Sequence, residues 1–351
     1  MAEPQTDLGL TTVIIPARNE IDSIEFCLDS ILTQVGAELQ VIVIDNGSVD
    51  GTGDAVRAYG KRDPRVELVS SPIASIPHSL NAGLAAARGR WLVRVDAHST
   101  ISDGYIARAV RHLRDGRWVG VGGRKDAVAA TPTGRAIAAV LGSPLAVGGS
   151  VYHHGETAQV VDHIPFGVYP TELLRRLGGW DESIANNEDF EMDQRLRQHG
   201  DLYFDPKMRI AWQSRETVPD LFRQYRRYGT GKPQVALSHP GSVKLRHLAP
   251  PALVAWLALA ALLSLQHPGL ALAAAAPYVA LIAAASLLIA RKIPDKRSRA
   301  TVPAALVAMQ VGWGIGFWTG VVRYLRDRLQ RTWLGEPTPV QPSQARIDIE
   351  H

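Results

Sequence analysis

The 351-residue chain holds a single cysteine, Cys27, so no internal disulfide can form, which fits a reducing compartment. Charge of one sign is scarce as well: a formal net charge of +4 is too small to argue for nucleic acid as a partner. An apolar leader is missing too. The N-terminus, Met-Ala-Glu-Pro-Gln-Thr-Asp, is polar and acidic, so no signal peptide is expected and residues before about Leu248 are expected to stay cytoplasmic. No Gly-x-Gly-x-x-Gly follows the first apolar run, which counts against a dinucleotide-binding domain. What charge there is lies unevenly. Nine Lys/Arg between Arg291 and Arg331 face only Asp295 and Asp327, so the rest of the chain nets −3. That basic segment brackets apolar runs, a pattern of membrane surfaces and not of polynucleotide binding.

The first part of the chain alternates short apolar runs with helical periodicity. Leu10 to Pro16 predicts a buried strand stopped by proline, and Ile21 to Gln34 a helix with Ile24, Leu28, Ile31 and Leu32 on one face and Cys27 in the core. Leu39 to Ile44 is a second, almost wholly apolar strand, as in a parallel sheet covered on both faces. A helix from Gly53 to Tyr59, a strand from Val66 to Val69, a helix from Ile76 to Ala87 and a strand from Trp91 to Val95 complete a βαβαβαβ series. This is the pattern of an α/β doubly wound sheet with right-handed crossovers. Ligands bind beyond the carboxyl ends of such strands. Here these ends carry Pro16-Ala17-Arg18-Asn19-Glu20, Asp45-Asn46 and Asp96-Ala97-His98. Asp45 to Asp50 also reads as plain turn chemistry, because Asn-Gly favours turns without help from function. On an extended backbone residues i and i+2 point the same way, so Asp96 and His98 are expected to share one ion.

Further on, a helix is expected from Tyr105 to Arg114, a strand over Val119–Gly123, a loop rich in Gly, Ala and Pro from Pro132 to His154, and a short helix over Leu173–Leu177 ended by Gly178-Gly179. The pair His153-His154 reads as loop polar groups rather than metal ligands, since neighbours on a strand point apart. Asp162-His-Ile-Pro-Phe-Gly167 is expected near a bound sugar or acceptor. Glu188 and Asp189 precede a helix from Phe190 to Gln198, in which Glu191 and Asp193 read as partners of the helix dipole.

Five stretches together resemble the family 2 glycosyltransferases of GT-A fold, in particular the bacterial exopolysaccharide enzymes of the succinoglycan-biosynthesis type. They are Val13–Glu20, Val43–Thr52, Asn81–Gly89, Val95–Ser99 and the run Gly178-Gly-Trp-Asp-Glu182 with Asn187-Glu-Asp-Phe-Glu-Met-Asp193. The likeness extends from about Leu10 to Lys232. It implies a nucleotide-sugar donor, a divalent metal and inversion at the anomeric carbon. It assigns Pro16, Ala17, Arg18, Asn19, Glu20, Asp45, Asn46, Asn81, Asp96 and Ala97 to the nucleotide sugar, and Asp189 to the acceptor proton as general base beside Glu188. Gln224-x-x-Arg227-Tyr228 resembles the Gln-x-x-Arg-Trp motif of polysaccharide-synthesising relatives, on the acceptor or diphosphate side; its rival reading is an amphipathic helix resting on lipid headgroups. In two places the chain departs from the pattern. Asn46 stands where the family has a second acid, which loosens the assignment to uridine. The family's Asp-x-Asp reads Asp96-Ala97-His98, with His98 at the metal position beside Asp96. Imidazole favours Mn²⁺ over Mg²⁺.

Leu248–Leu265, Gly269–Ala290 and Val302–Val322 carry no charged residue and are read as membrane-spanning helices. Gly312, Gly316 and Gly320, at four-residue spacing, mark a close-packing face. The expected organisation is a tail (1–9), a nucleotide-sugar-binding half (10–125), an acceptor-binding and catalytic half (126–247), transmembrane helices (248–322) and a basic, then disordered tail (323–351). Two crossings would keep Arg291–Arg299 cytoplasmic; a third would carry Arg323, Arg326, Arg328 and Arg331 outside, against the positive-inside rule, unless the third run is re-entrant. A full third span is the expectation adopted. The reading is then a multi-pass inner-membrane transferase with a cytoplasmic catalytic domain, moving a hexose to a lipid-linked saccharide amid membrane lipid. Its rivals are a polyprenyl-phosphate sugar transferase, a processive synthase and a catalytically inactive membrane scaffold.

Overall fold

The computed structural model describes residues 8–184, 186–265 and 267–334. The first seven residues of the expected N-terminal tail, and the segment after Glu336 expected to be disordered, lie outside them. The chain divides into two compact units. One comprises the described residues up to Asp126 together with His154–Gln213; the other comprises Ala127–His153 with the described residues from Ser214 on. Segment 127–153 thus groups with the C-terminal helices, and 154–213 with the nucleotide half, where a sequential division had been expected.

The first unit is built on a nine-stranded mixed sheet. Its parallel half comprises β1 (Leu10–Ala17), β2 (Glu38–Asp45), β3 (Val66–Ser70) and β4 (Trp91–Arg94) in the order β3-β2-β1-β4. The crossovers are α1 (Ile24–Leu32), α2 (Thr52–Arg62) and α3 (Ile76–Ala86). Val13, Ile14, Ile15 and Val41 to Ile44 are wholly buried, which explains why these strands read as unbroken apolar runs. Register aligns the carboxyl ends: Ala17 pairs with Asp45, Asp45 with Ser70 and Ile14 with Arg94. The loops after β1, β2 and β4 therefore leave one edge together.

Beyond β4 the sheet turns antiparallel. β5 (Ser99–Ile101) and α4 (Tyr105–Arg114) are followed by β6 (Trp118–Val128), β7 (Gln159–Val161), β8 (Val168–Pro170) and β9 (Asp201–Gln213), in the order β4-β8-β6-β9-β5 with β7 on β9. The 13-residue β9 was not expected from the sequence. Its Leu202, Phe204, Met208, Ile210 and Trp212 are buried at alternate positions, and Pro206 interrupts that series.

In the second unit, α5 (Pro132–Leu141) and the one-turn α6 (Pro144–Val147) replace much of the expected loop. The Thr131 hydroxyl caps α5 by accepting from Gly134 N–H, with Pro132 at the first helical position. The first unit resumes with α7 (Thr171–Arg176) and α8 (Glu188–Leu196). The second continues with α9 (Val218–Ser238), α10 (Leu245–Leu263), α11 (Pro268–Ala290) and α12 (Lys296–Leu334). Three helices, over Leu245–Leu263, Leu272–Ala290 and Lys296–Gln330, are long and apolar enough to cross a membrane. The glycine stripe does pack closely, against α9. A Cβ on Gly312 would lie 2.8 Å from the Phe222 carbonyl oxygen, and Gly316 and Gly320 abut the carbonyls of Arg226 and Thr230. The equal four-residue steps show that α9 and α12 run in the same direction. Val302, Ala305, Leu306, Ala308 and Met309 of α12 are buried.

Candidate functional site

The loop after β1 is bonded to the loop after β2. Asn19, in the left-handed region at φ 56°, accepts from Val49 N–H through Oδ1 and donates its own N–H to Ser48 Oγ. Glu20 N–H donates to Thr52 Oγ1, and Ile21 N–H to Asp50 Oδ2. Asp45 accepts from Ser48 N–H. Much of the polar content of Asp45–Thr52 is therefore turn chemistry that shapes the loop pair, and the Asn19 side chain is used in it. Arg18 stays exposed, and Ala17 is buried with its carbonyl accepting from Asn46 N–H. Asn46 is different. It is 7% exposed and its Oδ1 has no partner among the described residues. A buried amide oxygen without a donor costs about 1–3 kcal/mol, so a donor from a ligand would restore that energy.

Asn81 does not face a ligand in this arrangement. Its amide donates to the Trp180 carbonyl and to Glu182 Oε1 and accepts from Trp180 N–H, so it holds the turn Gly178–Glu182. Gly178 and Gly179 both take positive φ there.

After β4 the backbone does not stay extended. Ser99 N–H donates to the Asp96 carbonyl, so Asp96-Ala97-His98 forms a turn and the expected same-side projection of Asp96 and His98 does not arise from strand geometry. Ala97 is buried beneath it. Asp96 Oδ1 lies 3.4 Å from Arg94 Nη2. His98 Nδ1 lies 3.2 Å from Glu20 Oε1, and its Nε2 accepts the Trp212 indole N–H at 3.0 Å. Among the described residues no three His, Cys, Asp or Glu side chains group as a metal cage. One carboxylate and one imidazole, half-buried, fit a cation that takes its remaining ligands from a diphosphate and water. For His98 to serve, one ring nitrogen must exchange its present partner.

Sequence reasoning missed Arg94, whose only signal is a lone charge inside an apolar strand. Its buried guanidinium reaches Asp96, Glu188 at 3.1 Å and Asp189 at 3.9 Å. Burial works against that charge, but the three carboxylates outweigh it and hold the guanidinium cationic. Glu188 and Asp189 are the first two residues of α8, directly after Asn187 at φ 68°. Their environments push them apart. Burial drives Glu188 up to about 7, with Arg94 opposing and Asp189 assisting. For Asp189 burial also acts upward, yet His163, Arg94, the Phe190 N–H and Lys125 together bring it below the ordinary carboxylate value. The Asp189 side chain is 36% exposed and that of Glu188 only 6%, so Asp189 is the acid an acceptor can touch.

The raised Glu188 has a consequence for stability. The folded state keeps a proton that the unfolded chain releases near 4.5, so stability falls as pH rises from there to about 7. Glu188→Gln should remove that loss: parent and variant should melt closer together at pH 5 than at pH 8, with the variant higher at pH 8. An unchanged gap across that range would contradict a proton held at Glu188.

Glu191 and Asp193 are not dipole partners at a surface, as the sequence had suggested. Asp193 is fully buried, accepting from His163 and Ile164 N–H through Oδ2 and from the Tyr169 hydroxyl through Oδ1. Glu191 and Arg195 form a two-bond pair with both side chains 4% exposed, and Arg195 also caps the Leu177 and Gly179 carbonyls. Arg195→Ala would leave the Glu191 charge buried without its guanidinium, so a loss of about 3–5 kcal/mol is expected in a denaturant titration. A change within 1 kcal/mol would show that Glu191 finds another partner.

In the second unit, Gln224 is buried and donates from Nε2 to the Tyr228 hydroxyl one helical turn on, whereas Arg227 is exposed.

Comparison with known proteins agrees with this architecture. The succinoglycan biosynthesis protein ExoA of Rhizobium meliloti is 29% identical over 325 residues, covering 90% of this chain and 96% of that protein. The mannosyltransferase PcManGT of Pyrobaculum calidifontis, solved in complex with GDP-Man and Mn²⁺, has a TM-score of 0.58 at 24% identity over 89% of each chain. S. aureus TarS 1–349 in complex with UDP-GlcNAc has a TM-score of 0.50 at 15% identity, covering 94% and 93%. These structures share the GT-A fold. A glycosyl transferase family 2 profile matches residues 12–165, and a glycosyl transferase family group 2 profile matches residues 91–289, more than half the length. The chain belongs to the family 2 glycosyltransferases.

Proposed function

We propose that this glycosyltransferase is a membrane-anchored, inverting hexosyltransferase of exopolysaccharide synthesis. It takes a hexose from a nucleotide diphosphate sugar, UDP-linked by preference, and adds it to a lipid-linked saccharide at the cytoplasmic face. The observation that carries this reading is the pair Glu188–Asp189 in the first turn of α8: one acid buried against Arg94, the other 36% exposed and reachable by an acceptor. The unpartnered Asn46 oxygen supports a nucleobase N–H as its donor, with Asp45, Glu20 and Asp96 on the nucleotide side. Solved relatives carry GDP-Man or UDP-GlcNAc, so both bases belong in the test. Purified protein should be incubated with radiolabelled UDP-glucose, UDP-galactose, UDP-GlcNAc and GDP-mannose and native membrane lipid. Label from a UDP-sugar in the lipid phase supports the reading; label from none of the four contradicts it.

In the reaction, the acceptor hydroxyl donates to Asp189 and its oxygen attacks the anomeric carbon opposite the leaving diphosphate. Asp189 receives the proton. Arg94, between Asp96 and Asp189, ties the diphosphate side to the base side. A divalent cation, Mn²⁺ in preference to Mg²⁺, would be held by Asp96 and His98 and supply charge stabilisation for the departing diphosphate. Arg227 is assigned to phosphate oxygens and Tyr228 to sugar stacking, with Gln224 fixing the Tyr228 hydroxyl.

For the membrane part we propose two crossings, α10 and α11, with α12 lying along α9 in place of the full third span expected from sequence. Support comes from register. Gly312, Gly316 and Gly320 abut Phe222, Arg226 and Thr230, so that stretch of α12 shares its depth with the exposed Arg223, Arg226 and Arg227. Arginine is costly in hydrocarbon, by about 2.5–3.5 kcal/mol on insertion scales. Both basic segments then stay cytoplasmic. Lys292→Cys and Arg326→Cys should each react with an impermeant maleimide only after cells are opened; Cys27 is buried and gives the blank. Labelling of position 326 in intact cells would restore the third crossing.

A further inference from the structure

Behind the base lies an imidazole that the reaction as described does not use. His163, buried and 9% exposed, sits between two carboxylates of α8. Its Nδ1 is 2.7 Å from Asp193 Oδ2 and its Nε2 is 3.8 Å from Asp189 Oδ2. Asp193 is itself anchored by the Ile164 N–H and the Tyr169 hydroxyl, so the clamp on Nδ1 is rigid. The Phe190 ring packs against the imidazole with centroids 5.6 Å apart. The order Asp193, His163, Asp189 is thus a line of three groups whose last member reaches the surface.

We propose that His163 is the positioning residue of the base: clamped at Nδ1 by Asp193, the imidazolium presents Nε2–H to Asp189 and holds that carboxylate ionised and turned toward the acceptor. This rests on the reading of Asp189 as the base. The charged groups around the ring agree with a cation. Burial favours the neutral ring, but Asp193, Asp189 and Asp162 outweigh it and raise the imidazole above its ordinary value. Around Asp189 stand Arg94, Lys125 and Glu188, which act on the carboxylate from the other elements. The imidazolium is therefore kept to higher pH than in a free imidazole and is lost as pH rises further. Because Asp193 fixes the Nδ1–H tautomer, the neutral ring then turns a lone pair on Asp189 and pushes it out of place.

The test is the pH dependence of turnover, with the donor that labels best in the panel above. The parent should lose activity on the alkaline side of the ordinary imidazole value, and Glu188→Gln should keep that fall, which separates it from the loss of the Glu188 proton at about 7. His163→Gln, whose amide donates at every pH, should keep neutral turnover within about tenfold and lose that alkaline fall. His163→Ala should lose about tenfold or more at all pH values, on the low side of what a positioned base contributes. Asp193→Asn should move the alkaline fall to lower pH, because the carboxylate that holds the proton on the ring is gone. Thermal unfolding and UDP binding report folding of each variant. A parent without the alkaline fall, His163→Gln with the parental fall, or folded His163→Ala at parental turnover overturns the inference. If Asp189→Asn also keeps parental turnover, the base assignment itself fails; if only the His163 and Asp193 outcomes fail, the base stands and His163 is a packing residue.

Discussion

Asp189→Asn is expected to lower transfer by about 10²- to 10⁴-fold while leaving folding and nucleotide binding intact. The amide keeps the size of the carboxylate and can still accept the Phe190 N–H that Asp189 accepts now, so the first turn of α8 should hold. What it cannot do is take the acceptor proton. The neighbouring Glu188 cannot substitute: its side chain is 6% exposed, bound to Arg94 and holds its proton up to about 7. Steady-state rates on the labelled donor, with UDP affinity measured in parallel, separate the two properties. Comparable turnover by variant and parent would remove Asp189 from the mechanism.

His98→Ala should cost at least about 10²-fold in turnover, the scale of removing one group that stabilises charge developing in a transition state. It should also abolish stimulation by Mn²⁺. The imidazole is engaged on both sides, by Glu20 and by the Trp212 indole, so part of any loss could come from the loosened loop. His98→Asp separates the two causes. It breaks the Trp212 bond as alanine does, but offers the oxygen donor that Mg²⁺ prefers. Retained activity with preference moved from Mn²⁺ toward Mg²⁺ identifies a ligand. If His98→Ala turns over normally with unchanged Mn²⁺ affinity, the ring is a strut between two loops and nothing more.

The parallel half of the sheet was legible because β1, β2 and β4 are buried, largely apolar runs with a polar loop at one end, and the shorter, half-buried β3 follows in the same βα rhythm. That Asp189 lies at a helix start was legible locally, whereas its role as base came only from the family resemblance. The turn at Asp96–His98 was not, because the alternation rule assumes a backbone that stays extended and nothing local announces the Ser99-to-Asp96 bond. α5 was obscured by composition: Gly, Ala and Pro read as loop, although Thr131 and Pro132 are a start signal. β9 hid behind Pro206, which stands where the alternate buried positions Leu202, Phe204, Met208, Ile210 and Trp212 would otherwise continue unbroken. Arg94 and the His163–Asp193 pair depend on residues 30 or more positions apart meeting across the sheet, which no local pattern encodes.

Stereochemistry at the anomeric carbon tests the central claim most directly. A single carboxylate base opposite the leaving diphosphate permits one in-line displacement and no covalent sugar intermediate. Proton NMR of the first product formed from an α-linked nucleotide sugar should therefore show a β-glycoside. An α-glycoside as first product would contradict the account, because retention requires a second displacement that Asp189 as base cannot supply.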